Sequence, residues 1–218
     1  MEKYEPKPDY HFRVGMKDEA DALVKKFHYS KRTPGSVICV GSFHKEGGLF
    51  GDYGECIAAC YFSSPPTRWS LPVLELTRLV RHQDYSVSLT KLIASTTNFL
   101  KKKSIINLVV SFADWTQGHH GGIYQACSWN YAGQRDRAMD GLVINGFFTP
   151  GRTCNALYGT RSPEKLRAIK KDWSIEPHYD EGKHLYWKPL NHKGKKEAQA
   201  LVLEALPYPK PLKQSVSA

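Results

Sequence analysis

Proton chemistry is concentrated in one short stretch of this chain. In Ser111-Phe-Ala-Asp-Trp-Thr-Gln-Gly-His-His-Gly-Gly-Ile-Tyr124, an apolar run ends on Asp114, two imidazoles follow at His119 and His120, and a phenol arrives at Tyr124. A carboxylate at a strand end can accept a proton, and a phenol with a pKa of about 10 can give one. The glycines let a backbone come close to whatever binds there, and the amides of Gly118 to Gly122, at the start of the expected helix, suit an oxyanion or a phosphate. The histidines admit two readings. They are turn residues, because adjacent imidazoles diverge and make poor co-ligands, or His119 joins His28 and Asp114 in a two-histidine, one-carboxylate metal set if the fold converges them.

Positioning Asp114 falls to "INLVVSFAD", whose near-continuous apolarity is that of a central parallel strand, and "GGIYQACSW" reads as the helix after it. Upstream, "YHFRVG", "VICVGSF", "CIAACYF" and "VLELTRLV" read as strands, with a glycine-rich turn at "KEGGLFGDYGE". "MKDEADALVKKFHY" has Ala22, Leu23, Val24 and Phe27 at helical spacing, with acids early and lysines late. In "SVSLTKLIASTTNFLKKK", Leu89, Leu92, Ile93, Thr96, Phe99 and Leu100 form a helical stripe, Ser86 or Ser88 is the N-cap, and Lys101 to Lys103 complement the C-terminal dipole. "NYAGQ", "GLVING" and "KHLYWKPL" are further strands, and "SPEKLRAIKKDW" is a helix capped by Ser162 with Pro163 at its first position. The order predicts an α/β fold: a single domain over 1–192 with a mixed, largely antiparallel sheet flanked by helices. A basic, proline-rich tail follows over 193–218, opening on a short amphipathic stretch, its last ten residues or so expected to be disordered.

The chain has 218 residues, 41% of them hydrophobic, enough for a buried core without staples. A net charge of +10 implies a polyanionic partner, nucleic acid or an anionic membrane surface. The five cysteines form no Cys-x-x-Cys pair and are odd in number, so neither a zinc ribbon nor a secreted disulfide framework is indicated. No basic-then-apolar leader is present and no apolar run approaches the roughly 20 residues that span a bilayer, so a soluble cytoplasmic protein is expected.

As an ordered set, "FHYSKRTPGS" (27–36), "ELTRL" (75–79), "SFADWTQGHHGGIY" (111–124) and "GKHLYW" (182–187) resemble the Mom family of bacteriophage DNA-modification proteins. That family's fold is similar to the GCN5-related N-acetyltransferases, and the likeness runs from about residue 20 to about 190. The resemblance implies an enzyme of the bacterial host's cytoplasm that modifies N6 of adenine in double-stranded DNA. The adduct is of carbamoylmethyl, glycinamide-sized type and blocks restriction endonucleases. Asp114 and Tyr124 match the family's active-site positions, His28 matches its "HYS" histidine, and Ser111 and His119 fall in the same pocket by motif. Iron is the family's suggested cofactor.

That chemistry has physical demands of its own. The N6 lone pair is delocalised into the ring, so a group must accept its proton as attack begins, the role expected of Asp114. In acetyltransferase-like folds the tyrosine of the following helix protonates the leaving group, here Tyr124. Reaching N6 implies flipping the base against an aromatic, with Tyr29, Trp115 and Trp129 as candidates and core packing as the competing reading of Trp129. Lys31 and Arg32 would face phosphates, with Arg78 and Arg81 as alternatives, although Arg78 beside Glu75 also reads as a paired structural arginine. The chain departs from acyl-CoA users at "RHQDYSVS" (81–88), which lacks the glycines that grip a pyrophosphate, leaving Ser86 and Ser88 as anion contacts. Glycyl-tRNA is therefore a donor to set beside acyl-CoA. The competing functions are an N-acyltransferase for a protein or small amine, and an inert DNA-binding shield.

Overall fold

A computed structural model describes residues 10–45, 54–65, 68–115 and 118–209. Most of the glycine-rich turn at 45–55, and all but the first of the last ten residues, lie outside this range. The chain forms two compact units, one of residues 1–112, 121–132 and 185–218, the other of 113–120 and 133–184.

The first unit is built on a seven-stranded sheet. The sheet's strands are β1 (Tyr10–Val14), β2 (Val37–Lys45), β3 (Cys56–Ser63), β4 (Leu74–Arg81), β5 (Leu108–Asp114), β6 (Asn130–Gln134) and β10 (Lys183–Pro189), in the order β1-β2-β3-β4-β5-β10-β6, the last two residues of β5 and of β6 and the first two of β10 being counted with the second unit. β1 to β4 are antiparallel neighbours, and β4 pairs with β5 in parallel, as an α/β reading requires. All eight residues of β3 are buried because a helix covers each face. On one face, α1 (Lys17–Phe27) packs Ala20, Leu23 and Val24 against Val40, Ala59 and Tyr61. On the other lies α2 (Leu89–Lys102), so close that a Cβ on Gly41 would meet Thr96 Oγ1 at 1.9 Å.

Local chemistry explains α2. Ser88 is its N-cap, Oγ accepting from Lys91 N at 3.3 Å, and Leu92, Ile93, Thr96 and Leu100 of the expected stripe are buried. Burying a leucine or isoleucine stabilises by about 1.5–3 kcal/mol. The segment expected to begin a tail forms α6 (His192–Ala200), capped by Asn191, with Ala198 and Leu203 in the core beside Leu108, Val110, Leu185 and Trp187. The boundary expected at 192 is thus the first residue of a packed helix.

The second unit contains a three-stranded antiparallel sheet ordered β8 (Phe147–Pro150), β7 (Met139–Ile144), β9 (Glu176–Tyr179), with α4 (Gly151–Tyr158) and α5 (Pro163–Lys170). Its core is Leu142, Ile144, Cys154, Leu166 and Ile175. Asn145 and Gly146, both at positive φ, turn β7 into β8. Ser162 caps α5 with Pro163 at its start, as expected, whereas β8 and α4 occupy a stretch to which the sequence reading assigned no element.

Candidate active site

β4 and β5 are paired only at Leu74↔Val109 and Glu75↔Val110, and beyond these residues the two parallel strands part. Ser111, the next residue of β5, spans the gap with its side chain. Its Oγ lies 2.9 Å from the Leu76 carbonyl oxygen and 2.8 Å from the Tyr124 hydroxyl. A serine has one proton, and a carbonyl can only accept. With Ser111 donating to Leu76, the Tyr124 hydroxyl donates to Ser111 Oγ.

Tyr124 sits on α3, one turn over Gly122–Ala126 that Cys127 and Ser128 end, which is shorter than the expected helix. The turn is fixed from several sides. Gly121, at φ +83°, lies where a Cβ would come within 2.2 Å of the Tyr186 ring. Gln125 Nε2 donates to Tyr186 Oη at 3.0 Å, and Lys188 Nζ donates to the Cys127 carbonyl at 2.7 Å. The Tyr124 ring packs against Trp129 and Tyr186, with centroids at 5.4 and 5.2 Å. Trp129 is fully buried, so core packing is the reading the structure supports. Replacing Gly121 with alanine combines a strained φ with an overpacked ring, and a loss of roughly 2–5 kcal/mol is expected in chemical denaturation.

Burial pushes the Tyr124 phenol up to about 12; Ser111, turned to donate to the ionised phenolate, opposes this, and the nearby charges of Tyr29, Glu75 and Cys127 reinforce it. The phenol is therefore neutral at physiological pH, a proton held in reserve. A native pKa above the unfolded value of about 10 means that the stability linked to this group is present below pH 10 and is lost as pH rises toward about 12. In an alkaline absorbance titration, the difference between the native protein and Tyr124→Phe should show one ionisation near pH 12 and little below pH 11.

Glu75, which sequence reasoning assigned to a structural pair with Arg78, lies near this site. It is half-buried, the last paired residue before the strands part, and its charge acts on Tyr124. Tyr29 is 59% exposed, and its ring lies 4.3 Å from that of His28. His28 is buried and ends α1, and its Nδ1 accepts the Ser30 backbone N–H at 3.1 Å, which leaves the proton of the neutral ring on Nε2. Ser111 and Tyr124 are thus joined directly, the charges of Tyr29 and Glu75 act on Tyr124, and His28 packs on Tyr29. Arg78 is held by the backbone: its Nε donates to the Arg32 carbonyl at 3.0 Å and its guanidinium to the Thr77 carbonyl at 2.6 Å. It ties β4 to the basic loop, in which Lys31 and Arg32 are exposed.

Asp114, Trp115, Gly118 and His119 belong to the second unit. There His119 N donates to the Asp114 carbonyl at 3.1 Å, Gly118 N donates to the Trp115 carbonyl at 2.8 Å, and the Trp115 ring meets His184 edge-on at 5.0 Å. The Gly118 amide is thereby used inside its own turn. Burial, then the neighbouring His120, lowers the pKa of His184. Among the described residues no three His, Cys, Asp or Glu side chains are grouped to hold a metal ion.

The loop after β4 is closed on itself. Asp84 N donates to His82 Nδ1 at 3.3 Å, Tyr85 N to the His82 carbonyl at 3.4 Å, and Val87 N to the Tyr85 carbonyl at 3.2 Å. Ser88 is occupied with capping and Ser86 is exposed outside the helix. The amides of Asp84, Tyr85 and Val87 are thus engaged inside the loop.

The model of the Mom protein family matches residues 9–210. The chain belongs to the Mom protein family. No curated protein sequence matches this Mom-family chain. Among solved structures it is similar to an N-acetyltransferase from Staphylococcus aureus, at 7% identity and a TM-score of 0.45 over 83% of this chain and 97% of that one. It is also similar to a ribosomal-protein alanine N-acetyltransferase from Escherichia coli, at 8% identity and a TM-score of 0.46, covering 84% and 94%. A ribosomal-protein alanine acetyltransferase from Vibrio fischeri matches at 10% identity and a TM-score of 0.46, covering 86% and 97%. Among the described residues, no helix of this Mom-family chain is long and apolar enough to cross a membrane.

Proposed function

We propose that this protein is a transferase that attaches a glycinamide-sized, carbamoylmethyl-type group to N6 of adenine in double-stranded DNA and so protects the DNA from restriction endonucleases. Family membership supports DNA modification, and the observation that carries the chemistry is the buried, neutral Tyr124 held by Ser111 where β4 and β5 part. N6 attacks the donor carbon, and the bond to the leaving group breaks. A carboxylate takes the N6 proton, and Tyr124 protonates the leaving group. Glu75, whose charge acts on Tyr124, is our choice for the carboxylate, with Asp114 the alternative. Tyr29, 59% exposed and with a charge that acts on Tyr124, offers a face against which the extruded adenine stacks.

The closed loop before α2 favours a donor without a pyrophosphate grip there, and glycyl-tRNA, whose ester carbonyl N6 would attack with loss of the tRNA 3′-oxygen, fits that requirement. The product of such a transfer, N6-glycyladenine, is an isomer of the carbamoylmethyl adduct. Plasmid recovered from cells expressing the protein should resist endonucleases with adenine in their sites, and should stay resistant after complete removal of protein. Resistance that disappears on deproteinisation would instead identify a non-catalytic shield.

A further inference from the structure

Lys101, Lys102 and Lys103 close α2, and Lys193, Lys195 and Lys196 lie in the first five positions of α6; all six are exposed. Ninety residues apart in sequence, the two groups meet at Asn107. The Asn107 carbonyl accepts from Leu190 N at 2.8 Å, its Nδ2 donates to Glu197 at 2.9 Å, and its Oδ1 accepts from Asn191 Nδ2 at 2.8 Å. Gly194 comes so close that a Cβ would lie 2.0 Å from the Asn107 carbonyl oxygen. Chain reach puts Lys103 within about 14 Å of this point, and the α6 lysines lie within a helical turn of Gly194. The acid of the same helix, Glu197, is turned to Asn107 and leaves the lysines unneutralised by their own element.

Local stability accounts for only part of this arrangement. Lysines at the end of α2 suit its dipole, but lysines at the start of α6, with no acid in that turn, run against theirs. Such a surface is explained by what it binds. Asn107 lies four residues, about 13 Å, upstream of Ser111 along β5, a distance spanned by about four base pairs of duplex at 3.4 Å each.

We infer that the six lysines form a docking surface for the phosphate backbone of duplex DNA flanking the reacting adenine. This rests on the DNA-modifying reading above. Each lysine that neutralises a phosphate releases counterions, so the surface sets affinity and its salt dependence and leaves the transfer step itself unchanged.

The test is binding of a 30-base-pair duplex, read by fluorescence anisotropy across a salt series. It compares the full chain with Lys101, Lys102 and Lys103 all changed to Gln, with Lys193, Lys195 and Lys196 all changed to Gln, and with both sets combined. Each triple variant should reduce the slope of log K against log salt by about 1 to 3, and the combined variant by more, while thermal midpoints shift only slightly, down for the α2 set and up for the α6 set, as the helix dipoles require. An unchanged duplex slope overturns the inference, as does a loss confined to a transfer RNA or to anionic vesicles used as parallel probes. The two readings separate cleanly. If the lysine variants lose slope while the unaltered protein leaves adenine unmodified, the proposed function fails and the surface stands; modified adenine with unaltered slopes gives the reverse.

Discussion

Replacing Tyr124 with phenylalanine is expected to lower transfer by about 10²–10⁴-fold, the range over which a positioned general acid contributes. The substitution keeps the ring packed on Trp129 and Tyr186 and removes only the proton and its bond to Ser111. Folding should suffer by about 1 kcal/mol, since Ser111 retains the Leu76 carbonyl as a partner. DNA affinity and its salt slope should be unaltered, because no phosphate contact is lost. Ser111→Ala should be milder, since it leaves the acid in place and loosens only its aim. Equal losses of binding and transfer in Tyr124→Phe would show that the residue acts on folding and not on the reaction.

The second large effect concerns the proton acceptor. Glu75→Gln is isosteric and removes the charge, and a fall of about 10²-fold or more is expected, with loss of the acidic limb of the kcat/KM pH profile. The same change should ease ionisation of Tyr124, because the Glu75 charge helps to hold that phenol in its neutral form. Asp114→Asn serves as the comparison. If it silences transfer while Glu75→Gln retains the acidic limb, the roles of the two carboxylates are exchanged.

Much of this arrangement was legible in local pattern, and what was not depended on long-range pairing. The α2 stripe and its Ser88 cap are properties of one segment, as are the apolar β5 and the Ser162-Pro163 start of α5. The Ser111 to Tyr124 stretch was visible because glycines and titratable groups crowd it. Glu75 was not, because an acid three residues before an arginine in a strand reads as an ion pair. Its weight comes from a parallel partner 35 residues later that stays paired for two residues and then parts. Arg78 tells the same story, since its partner, the Arg32 carbonyl, is a backbone atom that no side-chain pattern reports. Helix α6 was legible only as a short amphipathic stretch opening a tail, because its lysines mimic solvated chain, while the glycine that fits it against Asn107 carries no pattern at all. Positions 114 and 119 lie in the motif of Tyr124 and yet belong to the other unit, a division that sequence spacing does not express.

The central claim, that the tyrosine held by Ser111 drives covalent modification of adenine, is tested most directly by nucleoside mass spectrometry. DNA from cells expressing the protein and from cells expressing Tyr124→Phe at the same level would be digested and compared. The account predicts an adenine nucleoside heavier by a glycinamide-sized group with the native protein, reduced at least a hundredfold in the variant. Unmodified adenine in both samples, or equal modification in both, would contradict it.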